Sequence, residues 1–158
     1  MIYTNDYDSP LGKILLAGDN TGLTGLWFYG QKNFAGNITS KHKQESTKIL
    51  DIAKSWLDKY FAGIKPDYLP PLHIVCSPFQ YRVFDYLMKK IKYGNFTTYG
   101  EIAAKINNSP RTVGRALGQN NILIIIPCHR VLGSNLNLTG YAAGIERKKK
   151  LLELERSK

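Results

Sequence analysis

Apolar positions change their period along the chain, and each change marks an element. Gly12 to Ala17 and Leu23 to Tyr29 are apolar and strand-like, separated by the turn-rich cluster Gly18-Asp19-Asn20-Thr21-Gly22. That arrangement predicts a β-hairpin. From Gln44 to Ala62 the residues Ile49, Ile52, Ala53, Trp56, Leu57, Tyr60 and Phe61 recur at three- and four-residue spacing, with Gly63 as a stop. This predicts an amphipathic helix. Pro66, Pro70 and Pro71 then interrupt regular structure. The expected organisation is a small α+β domain over residues 1–65, a linker over 66–77 and a mostly helical domain over 78–158.

The second half carries clear helix starts. Ser77-Pro78-Phe79-Gln80 combines an N-cap serine, a proline at the first helical position and the glutamine of a capping box, so a helix should run to about Lys92. Phe79, Val83, Phe84, Leu87, Met88 and Ile91 form its core-facing stripe. Thr98-Tyr99-Gly100-Glu101 opens a short helix through Ile106, and Ser109-Pro110 caps a third that holds Arg111 in its first turn. Joined by Asn107-Asn108, the two short helices make a helix-turn-helix. An arginine at that place projects towards a duplex, where it contacts phosphate, reads a base edge or inserts into the stack.

Ile122-Leu123-Ile124-Ile125-Ile126 reads as a strand covered on both faces, ended by Pro127, which cannot donate to a ladder. Cys128 would then sit at the strand's mouth, followed by His129 and Arg130. Two readings of the thiol stay open on spacing alone: a buried, inert core cysteine, or a nucleophile delivered to a polar pocket.

Charge narrows the partner. Lys and Arg number 22 against 12 Asp and Glu, a net charge of +10, as expected for a surface that meets a polyanion. Cys76 and Cys128 are too far apart in sequence to suggest a disulfide framework and point to a reducing compartment. No apolar run approaches the roughly 18 residues of a membrane span, and Met1-Ile2-Tyr3-Thr4-Asn5-Asp6 does not resemble a secretory leader. A soluble, intracellular protein is expected. Cys76, Cys128, His42, His73 and His129 lack metal-ligand spacing, so no metal is expected.

Pro127-Cys128-His129-Arg130-Val131 matches the active-site signature of the O6-alkylguanine-DNA alkyltransferases, and the flanking motifs follow in order. Arg111-Thr112-Val113-Gly114 is similar to that family's Arg-x-Val-Gly element, and Asn120 falls at its hinge asparagine. Thr139-Gly140-Tyr141-Ala142-Ala143-Gly144 resembles its Gly-Tyr loop, and Leu151-Leu152-Glu153-Leu154-Glu155 its Leu-Leu-x-x-Glu. The resemblance implies an antiparallel sheet with a helix of ribonuclease H-like form, then a winged helix-turn-helix-like domain. It also implies repair of O6-alkylguanine, and of O4-alkylthymine, in double-stranded DNA by transfer of the alkyl group to Cys128. The implied protein is a monomer, cytoplasmic or, in a eukaryotic source, nuclear. The zinc that some relatives hold in the amino-terminal domain is not carried over, since no cysteine precedes Cys76.

Residue by residue, the resemblance makes His129 a base acting on Cys128 through water and oriented by Glu155. Taken alone, Glu155 reads as an exposed helix residue. Tyr99 donates to guanine N3, and Tyr141 flanks the base in a pocket bordered by Asn120, Pro127, Val131, Ala142 and Ala143. The amide of Ala142 donates to O6, while the methyl of Ala143, where relatives often have glycine, narrows the pocket against bulky groups. Arg111 fills the space of the extruded nucleotide, and Thr112, Gly114, Ala116 and Gly118 suit a close approach to the minor groove. Arg115 crowds that approach or adds a phosphate contact. The run Arg147 to Lys150 reads as a solvated helix face.

The chemistry sets its own demands. A free thiol has a pKa of about 8.5, so a base or a positive environment must raise the thiolate fraction. The thioether product has no carbonyl for water to attack, so one turnover per molecule is expected, with no organic cofactor. Two other classes compete. A cysteine hydrolase would turn over, and the chain lacks a G-x-C-x-G elbow. A non-catalytic alkyltransferase-like lesion-binding protein would keep Arg111 but lack the reactive cysteine.

Overall fold

Tight turns build the amino-terminal sheet. In this computed structural model, which describes residues 1–38 and 41–156, β1 (Ile2–Ser9) turns into β2 (Gly12–Gly18) with the Ser9 hydroxyl donating to the Gly12 carbonyl at 2.6 Å. The polar residues Asn5, Asp6 and Asp8 hide β1 from a periodicity reading; its backbone pairing with β2 makes the strand. The expected hairpin joins β2 to β3 (Leu23–Phe28). The Asp19 carboxylate closes it by accepting from the amides of Thr21 and Gly22 at 2.8 and 3.0 Å.

The sheet is mixed rather than antiparallel. β4 (His42–Gln44) lies parallel to β1, giving the order β3-β2-β1-β4 among the described residues. Three exposed polar residues at a sheet edge carry no alternation, so nothing in their pattern announces this strand. Helix α1 (Lys48–Phe61) consequently begins later than expected, where the Thr47 side chain accepts from the Leu50 amide. It lays Leu50, Ala53, Trp56, Leu57 and Tyr60 across the sheet against a core that includes Ile14, Leu16, Leu26 and Phe28. Each buried Leu, Ile or Phe side chain among them contributes about 1.5–3 kcal/mol on burial.

Most of the segment expected as a linker is fastened to this unit. The Leu23 amide donates to Pro71 and the His73 amide to Leu23, at 2.7 and 2.9 Å, while the Trp56 indole N–H donates to the Tyr68 carbonyl at 2.9 Å. His73 Nδ1 lies 2.5 Å from an Asp19 carboxylate oxygen. Gly22 permits the approach, since a Cβ there would lie 2.7 Å from the Leu72 backbone. The first compact unit accordingly extends from Met1 to Val75, and the second from Cys76 to Lys158.

The second unit opens with α2 (Pro78–Lys90), whose capping box is formed in both directions between Ser77 and Gln80. Next come β5 (Thr97–Thr98), α3 (Tyr99–Ile106) and α4 (Pro110–Gly118). Asn107, left-handed with φ 58°, ends α3 and lets the chain turn into α4. β6 (Val131–Leu132) pairs parallel with β5, and α5 (Ile145–Arg156) follows. That small pairing sets Val131, three residues after Cys128, against the strand that leads into Tyr99.

Gly25 supports the first core from an unusual angle. The buried Trp27 ring folds back over it, and a Cβ at position 25 would fall 1.9 Å from that ring. A fully buried ring has nowhere to retreat. Gly25→Ala should therefore destabilise the protein by about 1–3 kcal/mol, read as a lower urea midpoint of unfolding.

Candidate active site

The apolar run before Cys128 is buried throughout, yet it is a turn and not the expected strand. The Ile125 amide donates to Leu123 and the Ile126 amide to Ile122, at 2.7 and 3.1 Å, and Ile124 sits at φ 70°. A left-handed β-branched residue is a real outlier. Asn120 holds the turn closed: its Oδ1 accepts from the Ile122 amide at 2.9 Å and its Nδ2 donates to the Ile126 carbonyl at 3.1 Å. A buried loop survives only if its polar groups find partners, and this one side chain supplies several. The same Nδ2 lies 3.2 Å from Cys128 Sγ.

Cys128, His129 and Arg130 form a 3-10 turn after Pro127, so the alternation of an extended strand does not govern where His129 points. His129 is fully buried, and its Nε2 lies 2.6 Å from Glu155 Oε2. Arg130 grips the same carboxylate with Nε at 2.8 Å and Nη2 at 3.1 Å, and its Nη1 donates to the Ile91 carbonyl at 2.8 Å. The Gly94 amide adds a donor at 3.3 Å. Tyr141, also buried, stands edge-on to the imidazole with ring centres 6.4 Å apart.

One charge in the expected solvated run is inside the protein. Lys148 is fully buried, and its Nζ donates to the Thr139 carbonyl at 2.6 Å. Helical spacing explains the place: Lys148, Leu151 and Glu155 share the inward stripe of α5, whereas Lys149 and Lys150 are exposed. Arg147 is half-buried and donates to the Ala143 carbonyl at 3.3 Å.

Burial dominates the electrostatics. It pushes the Cys128 thiol up, against the donor of Asn120 and the charge of Lys148. It lowers the Lys148 ammonium to about 8. It also drives His129 below its usual value, aided by Arg130 and Lys148 and opposed by Glu155. For Glu155 burial works against ionisation, but the donors from His129 and Arg130 overcome it and hold the carboxyl well below the usual carboxylate range.

A second group faces a cleft of about 610 Å³ lined by Tyr99, Arg111, Gly114, Ser134 and Asn135. Arg111 is exposed in the first turn of α4, whose N-cap Ser109 accepts from the Thr112 amide at 3.2 Å and also engages the Thr112 hydroxyl at 2.8 Å. A Cβ on Gly114 would rest against the Tyr99 ring at 3.6 Å, so glycine keeps that helix face open. The Tyr99 hydroxyl lies 3.4 Å from the Gly140 carbonyl. Arg115 is exposed, Ala142 half-buried, and Pro127, Val131 and Ala143 buried. Among the described residues no three His, Cys, Asp or Glu side chains are grouped to hold a metal ion.

Comparison with known proteins finds a family model for each of the two units. The 6-O-methylguanine DNA methyltransferase DNA-binding domain model covers residues 78–157, and the ribonuclease-like domain model of the same family covers residues 2–69. The chain belongs to the 6-O-methylguanine DNA methyltransferase family. A methylated-DNA–protein-cysteine methyltransferase of Methanosarcina acetivorans is 42% identical over 99% of both chains. One from Haemophilus influenzae is 37% identical over 98% of this chain and 87% of its own. The crystal structure of Mycobacterium tuberculosis OGT in complex with DNA superposes with a TM-score of 0.88 at 39% identity, covering 98% of this chain and 93% of that one.

Within this methyltransferase family member, sequence reasoning overlooked Arg130 as a partner of Glu155, Lys148 as a buried cation, and the cleft residues Ser134 and Asn135. Arg130 lies inside the Pro127–Val131 signature, and the spacing Lys148-Leu151-Glu155 marks one helix face. Only Ser134 and Asn135 carried no signal.

The buried pair should make stability sensitive to acid in two stages. His129 resists protonation in the fold, so the unfolded chain binds more protons once pH falls below about 6.5, and stability declines from there. Glu155 has a depressed folded value, so its contribution is complete above about pH 4.5 and is lost progressively below it. Glu155→Gln, which leaves Arg130 buried without its anion, should cost about 3–5 kcal/mol at pH 7. Denaturant titrations at several pH values should show that difference narrowing below about pH 4.

Proposed function

We propose that this protein repairs DNA by direct reversal, moving the alkyl group of O6-alkylguanine onto Cys128 in one irreversible step. The observation that carries the reading is a buried cysteine, 3.2 Å from Asn120, beside a His129–Glu155 pair at 2.6 Å. It stands in a chain that is homologous over nearly its whole length to methylated-DNA–protein-cysteine methyltransferases.

The sulfur displaces guanine in line: the S–C bond forms as the C–O6 bond breaks. The thiol proton passes through a bridging water to His129 Nδ1, because Nε2 is engaged by Glu155. The departing guanine gains negative charge, which the Tyr99 hydroxyl and the Ala142 amide meet as donors. Cys128 is 8% exposed, so the lesion must leave the base stack to reach it. Arg111, on the rim of the cleft, holds the vacated space in the duplex, with Thr112, Gly114 and Arg115 facing DNA. Tyr141 and Ala143 bound the base pocket, and O4-alkylthymine is attacked in the same way.

The net charge of +10 favours a polyanionic partner, and no helix among the described residues is long and apolar enough to cross a membrane. The protein acts as a monomer on double-stranded DNA in the cytoplasm, or in the nucleus of a eukaryotic source. It needs no organic cofactor, since the lesion is the alkyl donor.

Mass spectrometry after incubation with a methylated duplex tests the central step. Wild type should gain one methyl group per molecule on Cys128, and Cys128→Ser should gain none while still binding the lesion. Methylation of the Cys128→Ser protein at Cys76 would sink the assignment. Arg111→Ala should slow transfer from duplex at least about tenfold, since extrusion costs a few kcal/mol, and leave reaction with the free alkylated base within about twofold. Equal losses on both substrates would place Arg111 in the chemistry itself.

A further inference from the structure

Each oxygen of the Glu155 carboxylate accepts from more than one donor. Oε1 takes Arg130 Nε at 2.8 Å and the Gly94 amide at 3.3 Å, while Oε2 takes His129 Nε2 at 2.6 Å and Arg130 Nη2 at 3.1 Å. Arg130 therefore holds the carboxylate with two parallel N–H donors, the geometry in which a guanidinium pairs most strongly. Its remaining arm is fixed on the Ile91 carbonyl at 2.8 Å, and its planar head lies 5.9 Å from the centre of the Tyr93 ring. The carboxylate is 3% exposed and the arginine 8%.

We infer that Arg130 is a positioning residue for alkyl transfer: its guanidinium, rather than the imidazole of His129, is the cation that balances Glu155, and His129 is thereby kept as an uncharged proton acceptor. The inference rests on the reading of Cys128 as the alkyl acceptor and deepens it. A buried carboxylate alone beside a histidine draws a proton onto the ring, because in a dry site the ion pair is worth more than the neutral hydrogen bond. A guanidinium cannot lose its charge in a protein, so once it sits on the same carboxylate that incentive is cancelled.

The groups facing His129 agree. Glu155 and Lys148 approach from α5, Arg130 and Cys128 from its own turn, and Tyr141 from the loop before α5. Glu155 is the anion of this group when the thiol is protonated, and it is already paired. An imidazolium would be one more cation beside Arg130 and Lys148. A charged ring could not accept the thiol proton, so the rate of transfer depends on Arg130 without its touching substrate.

Nitrogen-15 NMR of histidine-labelled wild-type protein tests this without substitution. Between about pH 6.5 and 8 His129 should show one protonated nitrogen, Nε2, with its signal distinguished from His42 and His73. An imidazolium at pH 7 would overturn the proposal. In Arg130→Gln the midpoint of the ring's titration, and the acid limb of the second-order rate with methylated duplex, should both rise by about one pH unit or more. Arg130→Lys, which keeps the charge and loses the fork, should stay within about half a unit of wild type in both. An Arg130→Gln protein that titrates as wild type yet reacts slowly would reduce Arg130 to scaffolding and refute the inference. Should Arg130→Gln not fold, the wild-type ring and Arg130→Lys decide. Failure of wild type to take up a methyl group refutes the transfer reading instead, and the ring's protonation is measured independently of it.

Discussion

One carboxylate, that of Glu155, ties α5 to the turn that presents the thiol. Hydrogen bonds converge on it from His129, twice from Arg130, and from the Gly94 amide. Leaving such a group buried without them would cost several kcal/mol, so the position of α5, the rotation of the imidazole and the seating of Arg130 are settled together. Removing either Glu155 or Arg130 would leave the other as a buried charge without its counterion. The site is in this sense a single electrostatic unit, and Cys128 is its chemically reactive edge.

Asn120 performs the matching task on the other side of the thiol. A loop of five branched aliphatics has no side-chain donors of its own, and its burial would strand backbone amides and carbonyls. The single amide of Asn120 closes that loop onto itself and reaches the sulfur at 3.2 Å. Left-handed Ile124 is the conformational cost of the tight turn. Packing on both flanks leaves the Cys128 thiol little freedom, which is what the proposed in-line displacement requires, since its barrier depends on alignment.

Charge is used in two separate ways. The exposed lysines and arginines give a diffuse positive field suited to a duplex, with Arg111 at the start of α4 as the projecting member. Lys148 and Arg130 are withdrawn from that field and act inside the protein at short range. Burial makes their influence on Cys128 and His129 larger than any surface lysine could exert, because solvent no longer screens it. The same residue types thus stand in two electrostatic settings, one screened by solvent and one not.

Local signals in the sequence determined every element whose boundary lies in its own residues. The Asp19–Gly22 turn, the amphipathic stripe of α1, the caps at Ser77, Thr98 and Ser109, and the left-handed Asn107 all follow from chemistry between near neighbours. Two separate resemblances, the signature around Cys128 and the Leu151–Glu155 motif, singled out Cys128, His129 and Glu155 before any contact was known. Tertiary structure alone decided the rest. β1 and β4 exist because a neighbouring backbone pairs with polar residues that show no alternation, and the sheet is mixed for that reason. Residues 122–126 form a turn and not a strand because Asn120 closes them onto themselves, accepting from the Ile122 amide and donating to the Ile126 carbonyl. Whether a charged residue such as Lys148, Arg130 or Glu155 faces water or the core depends on what packs against its element, and residues far apart in sequence supply that packing.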